Sequence, residues 1–200
     1  MKNAVFLQIN SYNDLHILSW KYWCNKNDVD LVISEEPNQH QIKQYEKVAL
    51  INNDVFIKWD APNFFNLFED DVCGVLDTSD FKKILTDIEK FNKNLNIDFY
   101  LQTDILFFNS KYVNILENKN QISINYNISL LNKNPKIFYP CWNLYSIHIK
   151  DMFKHNWQLN RDSVPSFIKY AYIWNLNDLP KEHKNEIIQS VWSYIKNNYK

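Results

Sequence analysis

At 200 residues the chain suits one compact domain, or one domain with a modest appendage. Lys and Arg (22) nearly cancel Asp and Glu (23), the net charge is −1, and no basic run marks a nucleic-acid face, so nucleic acid is not an expected partner. No apolar stretch approaches the ~20 residues of a membrane-spanning helix, and Cys24, Cys73 and Cys141 lie far apart without CxxC spacing, which argues against a disulfide framework.

Ala4 to Ile9 is an apolar run with β-branched and aromatic members and predicts a buried first strand. Ser11 to Asn27 predicts an aromatic-rich helix capped by Ser11 or Asn13, Val29 to Ser34 a second strand, and Gln41 to Lys47 a short helix. A third strand, Val48 to Ile51, is broken by Asn52-Asn53-Asp54 and resumed by Val55-Phe56-Ile57. Asp60 as N-cap with Pro62 in the first turn predicts a helix that buries Phe64, Phe65, Leu67 and Phe68. Val72 to Leu76 reads as a strand. A helix then starts at Thr78, Ser79 or Asp80 and runs to about Lys93, with Phe81, Ile84, Leu85, Ile88 and Phe91 on one face.

Asp104 to Phe108 predicts a further strand, Asn109-Ser110 and Gln121 to Leu131 open helices, and Ile137 to Tyr139 is a short strand. Cys141 to Ser166 has no clear period. Tyr170 to Trp174 predicts the last strand. After Pro180 an amphipathic helix carries Ile187, Ile188, Val191, Trp192 and Ile195, and Lys181, Lys184, Lys196 and Lys200 read as a solvated face. Strands alternating with helices predict an α/β chain with helices on the faces of its sheet, and such sheets bind ligands at the carboxyl ends of their strands.

Asn52-Asn53-Asp54 falls at such an end. Polar groups interrupting a buried apolar stretch must be hydrogen-bonded, solvated or coordinating. On spacing alone the run reads first as a β-turn joining two strands as a hairpin, with a carboxylate placed to hold a divalent cation as the alternative. A single glycine in the whole chain removes the usual backbone cradle for phosphate, so side chains and a cation would have to hold a diphosphate. The five histidines show no metal-ligand spacing; His148, near Tyr145, is the one candidate for a site.

The stretch from Tyr45 to Asp77 resembles the centre of GT-A nucleotide-diphospho-sugar glycosyltransferases, the glycogenin-like proteins and related viral and bacterial enzymes. Asn52-Asn53-Asp54 stands at their Asp-x-Asp motif, Trp59 to Asn63 resembles the helix start that follows, and Gly74 to Asp77 the next strand. Tyr100 to Asn109, Asn120 to Asn125 and Pro140 to Asn143 resemble three later segments, so the likeness spans roughly residues 1–145.

The resemblance implies one GT-A domain over 1–200, with a core of about 1–145 and a C-terminal strand and helix in 146–200, around a mixed, mainly parallel sheet. It implies transfer of a sugar from a UDP- or GDP-sugar to a hydroxyl on a glycan or protein, assisted by Mn²⁺ or Mg²⁺. Asp54 and Asn52 are the implied metal ligands, and Asp104 the implied catalytic residue. Gln8, Asn10, Asn52, Asn53, Asp54, Gln102, Gln121, Asn125 and Trp142 are the implied donor-binding residues, with Gln121 and Asn125 sharing a helix face.

Three positions depart from the pattern: Asn52 replaces the first Asp, Asp104 replaces a glycine near the sugar, and Trp174 stands where a metal-binding His is expected. These departures leave open the alternative of a catalytically impaired GT-A-like binding or assembly module. The N-terminal MKNAVFLQINSY runs into a strand without a small-residue cleavage site, so a cytoplasmic protein is expected, in the host cytoplasm if the chain is viral.

Overall fold

The computed structural model describes residues 2–9, 14–78, 80–92, 97–118, 120–131, 134–145, 148–149 and 166–200. The expected caps Ser11 and Asn13, and most of Cys141 to Ser166, lie outside them.

The chain order is β1 (Ala4–Gln8), α1 (Asp14–Lys26), β2 (Asp30–Ser34), α2 (Gln39–Ile42), β3 (Lys47–Ile51) and β4 (Val55–Ile57). There follow β5 (Val72–Gly74), α3 (Phe81–Phe91), β6 (Ile105–Asn109), α4 (Gln121–Ser129), β7 (Lys136–Ile137), α5 (Ser166–Tyr170), β8 (Ile173–Asn175) and α6 (Lys181–Ile195). Six strands form one sheet in the order β2-β1-β3-β6-β5-β7, and β4 pairs with β8 in a second. β1 runs parallel to β2 and β3, and β7 parallel to β5; β6 is antiparallel to both its neighbours. This is the mixed α/β architecture expected.

Strand alternation sorts the core into layers. Val5, Leu7, Ala49, Ile51 and Phe107 face α1 and the 3₁₀ turn Phe64–Leu67, while Ala4, Phe6, Val48, Leu106 and Phe108 face α4 and the 3₁₀ segment Ser110–Leu116. A third cluster joins Phe56 and Trp174 of the small sheet to Phe167 of α5 and to Ile187, Val191 and Ile195 of α6. Buried indoles need a partner for their N–H. Trp20 donates to the Val55 carbonyl at 2.7 Å and Trp23 to that of Ala61 at 2.9 Å, so α1 pins the chain that leaves β3.

Several local expectations change. β3 and β4 are not a hairpin, because they enter different sheets. The helix expected at Asp60 is the 3₁₀ turn Phe64–Leu67, capped by Asn63, whose side chain accepts from Phe65 N–H; Asp60 instead pairs with Lys58 at 3.1 Å. Tyr170 closes α5, so β8 begins only at Ile173. Tyr139 lies beyond β7 and precedes a 3₁₀ turn. Of the apolar stripe on α3 only Ile84 is buried, and Phe81, Leu85 and Phe91 are exposed. The one glycine, Gly74, is closely packed: a Cβ there would meet Leu101 Cδ1 at 3.1 Å, so the Leu101 side chain would have to shift by a few tenths of an ångström. Among the described residues no helix is long and apolar enough to cross a membrane.

Candidate functional site

Two strand registers build the site. β3 and β6 pair Ile51 with Ile105, so one further step sets Asn52 opposite Asp104 with both side chains on one face. Asn52 N–H donates to the Asp104 carbonyl at 2.8 Å, and its side-chain amide donates to Asp104 Oδ1 at 2.8 Å. β4 and β8 pair Val55 with Asn175, and one further step joins Leu176 N–H to the Asp54 carbonyl at 3.0 Å. Residues 52–54 are therefore the crossing between the sheets. Asp54 makes the bend with φ of +58°, a conformation that Asp tolerates better than most non-glycine residues.

Asp104 is the hub of this crossing. Its Oδ1 accepts from Asn52 and, at 3.1 Å, from Asn177, and its Oδ2 accepts from Asn175 at 3.0 Å. A carboxylate offers about four lone-pair positions, so among the described residues these three donors leave one, on Oδ2. Asp54 meets a different partner: Lys184 Nζ lies 2.6 Å from its Oδ2, with side chains only 17% and 13% exposed. Lys184, expected on a solvated face, instead turns into the site from the first turn of α6.

Burial first, then the negative charges of Asp104 and Asp77, hold the Asp178 carboxyl above its ordinary range, against the lowering effect of Lys83 and Lys184. Burial also raises the Tyr145 phenol, with Asp77, Asp104 and Asp178 adding to it. These acids, lysines and Tyr145 share one electrostatic neighbourhood.

Three cavities adjoin this region. One of about 150 Å³ is lined by Gln8, Pro37, Gln39, Asn52 and Thr103. A second, of about 460 Å³ between α3 and α4, is lined by Asp77, Lys83, Tyr100 and Gln121, where Gln121 donates to Asp77 Oδ2 at 2.7 Å. The Tyr100 phenol there is pushed up to about 12, by burial and then by Asp77 and Asp87. A third, of about 380 Å³, is lined by Thr78, Tyr139, Asn143, Tyr145 and His148. Asn143 is fully buried, and neither atom of its amide finds a partner among the described residues. Tyr145 donates to the Leu76 carbonyl at 2.9 Å.

The residues implied by the resemblance thus separate. Gln8, Asn52, Asp54 and Asp104 gather where the strands end, with Asn53 in the turn between them; Asn10 lies outside the described residues. Gln121 faces the cavity by α3. Asn125 does not share that position: fully buried, it accepts from Leu101 N–H at 2.7 Å and donates to the Leu101 and Gln121 carbonyls at 2.9 Å, so its amide is engaged within the framework. Gln102 is buried, and its backbone N–H donates to the Val75 carbonyl at 2.9 Å. The Trp142 ring is buried against Phe64, Phe138 and Tyr172.

Trp174 points into the third core cluster and donates to the Phe167 carbonyl at 3.2 Å, so alternation along β8 turns its neighbour Asn175 to Asp104. The sequence reading did not pick out Asn175 or Asn177; their alternate spacing at the end of a short strand was the available signal. Asp178 and Lys184 carried none.

These residues do not fit a divalent cation. Such an ion needs several converging oxygen donors, whereas amide N–H groups take three lone-pair positions of Asp104, Asn175 Oδ1 accepts from Asn177 N–H at 3.0 Å, and an ammonium already covers Asp54 Oδ2. Among the described residues no three His, Cys, Asp or Glu side chains come together to hold a metal.

The fold is that of the GT-A glycosyltransferases. The chain is similar to the crystal structure of a glycosyltransferase involved in the glycosylation of the major capsid of PBCV-1, with a TM-score of 0.59 at 9% identity over 94% of this chain and 100% of the other. It also aligns with galactosyltransferase LgtC in complex with donor and acceptor sugar analogs, at 11% identity over 94% of this chain and 96% of that one, with a TM-score of 0.48. No family model and no curated protein sequence matches the chain.

Proposed function

We propose that the chain is a glycosyltransferase that moves a sugar from a UDP- or GDP-sugar to a hydroxyl acceptor on a glycan or protein. The observation that carries this reading is the Asp104 hub, set by two strand registers at the strand ends of a GT-A fold, where its neighbours Asn52 and Thr103 line a cavity of about 150 Å³. That cavity offers Gln8 and Asn52 to a nucleotide. The cavity of about 380 Å³ offers the exposed Tyr139 ring to a polyhydroxylated acceptor, and beneath it lies the buried Asn143 amide, which has no partner among the described residues.

In this reading the bond between the sugar C1 and the diphosphate oxygen breaks and the nucleoside diphosphate leaves, while the acceptor oxygen bonds to C1 and gives its proton to the Asp104 carboxylate. The fourth lone-pair position of Asp104, on Oδ2, is available to a donor-sugar or acceptor hydroxyl. Asn52, Asn175 and Asn177 keep the carboxylate from rotating, which fixes the direction of that lone pair.

Thermal-shift measurements with UDP, GDP and their sugar conjugates test the reading. Stabilisation by one nucleotide, with donor-sugar hydrolysis that disappears in Asp104→Ala, is expected. If no nucleotide or conjugate moves the melting temperature, the reading is lost. The engagement of Asp104 by three amides and of Asp54 by Lys184 favours a second reading, a module that binds sugar nucleotides without turning them over. Saturable binding with no hydrolysis or transfer would select it.

A further inference from the structure

We infer that Lys184 holds the cation position at Asp54, so that nucleoside diphosphates bind this chain without a divalent metal. Asp54 is the one acid of the 52–54 crossing, and its Oδ2 is 2.6 Å from the Lys184 ammonium in a largely buried pair. A metal ion approaching Oδ2 would have to displace that ammonium or sit beside it, and two cations repel strongly where water is scarce. The neighbouring groups cannot compensate. The amides of Asn52, Asn175 and Asn177 take three lone-pair positions of Asp104, and Asn175 Oδ1 itself accepts from Asn177 N–H at 3.0 Å, so these oxygens are already turned to hydrogen bonding. An ammonium has three N–H bonds; one is on Asp54, and in this inference the other two take phosphate oxygens. Lys83, on α3 across the Asp178 turn, supplies a second positive charge to the same neighbourhood.

The diphosphate half of this inference rests on the donor reading above; the cation half stands on Asp54 and Lys184 alone, and two measurements on the full chain separate them. In the first, Mn²⁺ is titrated against the wild type and Asp54→Asn without nucleotide, following free Mn²⁺ by electron paramagnetic resonance. Identical titrations are expected. A saturable Mn²⁺ per chain that vanishes in Asp54→Asn overturns the inference.

In the second, UDP and GDP are titrated calorimetrically in EDTA and in Mn²⁺. Equal affinities within about threefold are expected, with Lys184→Gln weakening the diphosphate by about tenfold or more and Lys184→Arg retaining it. Tightening by Mn²⁺ of about tenfold, or no loss in a folded Lys184→Gln, overturns it. If no nucleotide binds in either buffer, the donor reading fails, and the Mn²⁺ titration alone decides whether Lys184 excludes the metal.

Discussion

Asn175 ends β8, and its amide donates to Asp104 Oδ2 at 3.0 Å, so a strand of the small sheet anchors a residue at the start of β6 in the large one. Removing the acceptor strands three amides at once. Asp104→Ala should cost roughly 2–4 kcal/mol, read as a melting temperature lower by about 5–12 °C for a chain of this size. Asp104→Asn should recover less than half of that loss, because an amide offers only one accepting oxygen to three donors. Equal stability of wild type and Asp104→Asn in a thermal melt would contradict the hub.

Asn125 brackets the peptide of Leu101, accepting from its N–H and donating to its carbonyl. Asn125→Ala leaves the buried Leu101 N–H without its acceptor, while the Leu101 carbonyl keeps Gln121 Nε2 at 3.2 Å, and should cost about 1–3 kcal/mol. The prediction is a large fall in melting temperature with nucleotide affinity, measured by calorimetry below the melt, unchanged within about threefold.

The buried Asn143 amide runs the other way. Its desolvation is uncompensated within the described residues, so Asn143→Leu should leave stability unchanged or raise it by about 1 kcal/mol. Acceptor use should fall in the same variant, and a destabilised Asn143→Leu would show that the amide has a framework partner.

Asp178 gives a pH-dependent prediction. The residue is more than a third exposed, yet partial desolvation of its carboxyl, and then Asp104 and Asp77, raise it, so the folded chain holds this proton more tightly than the unfolded chain does. The stability linked to it is full below the ordinary carboxyl range and is lost as pH rises through the raised value. Asp178→Asn removes that loss, and because Asp178 is exposed the effect is small. The variant should melt about 1–2 °C above the wild type at about pH 7, with the gap closing at about pH 3. A gap that widens on acidification would reverse the sign.

What the sequence made legible follows physical range. Apolar runs such as Ala4 to Ile9 and Val48 to Ile51 carry their burial in their own composition, so the strands and the fold class could be read directly. The stripe on α3 was read as a face; whether anything covers it depends on neighbours far along the chain, and Phe81 proves exposed. Gln121 and Asn125 do lie one turn apart on α4, yet one faces a cavity and the other clasps Leu101, a difference that only packing decides. The choice between Trp174 and Asn175 hung on a single residue of register between β4 and β8. Lys184 looked like any other lysine on an amphipathic helix, because its partner lies 130 residues away.

That separation has a consequence for how the molecule comes of age. The large sheet closes with residues that are all synthesised by Ile137, but the ammonium at Asp54 arrives only with α6. A ribosome-bound chain halted before Pro180 could complete the six-stranded sheet and still present Asp54 bare. Competence at the 52–54 crossing is then a late event, set by the docking of the terminal helix, and long-range contacts of this kind form slowly.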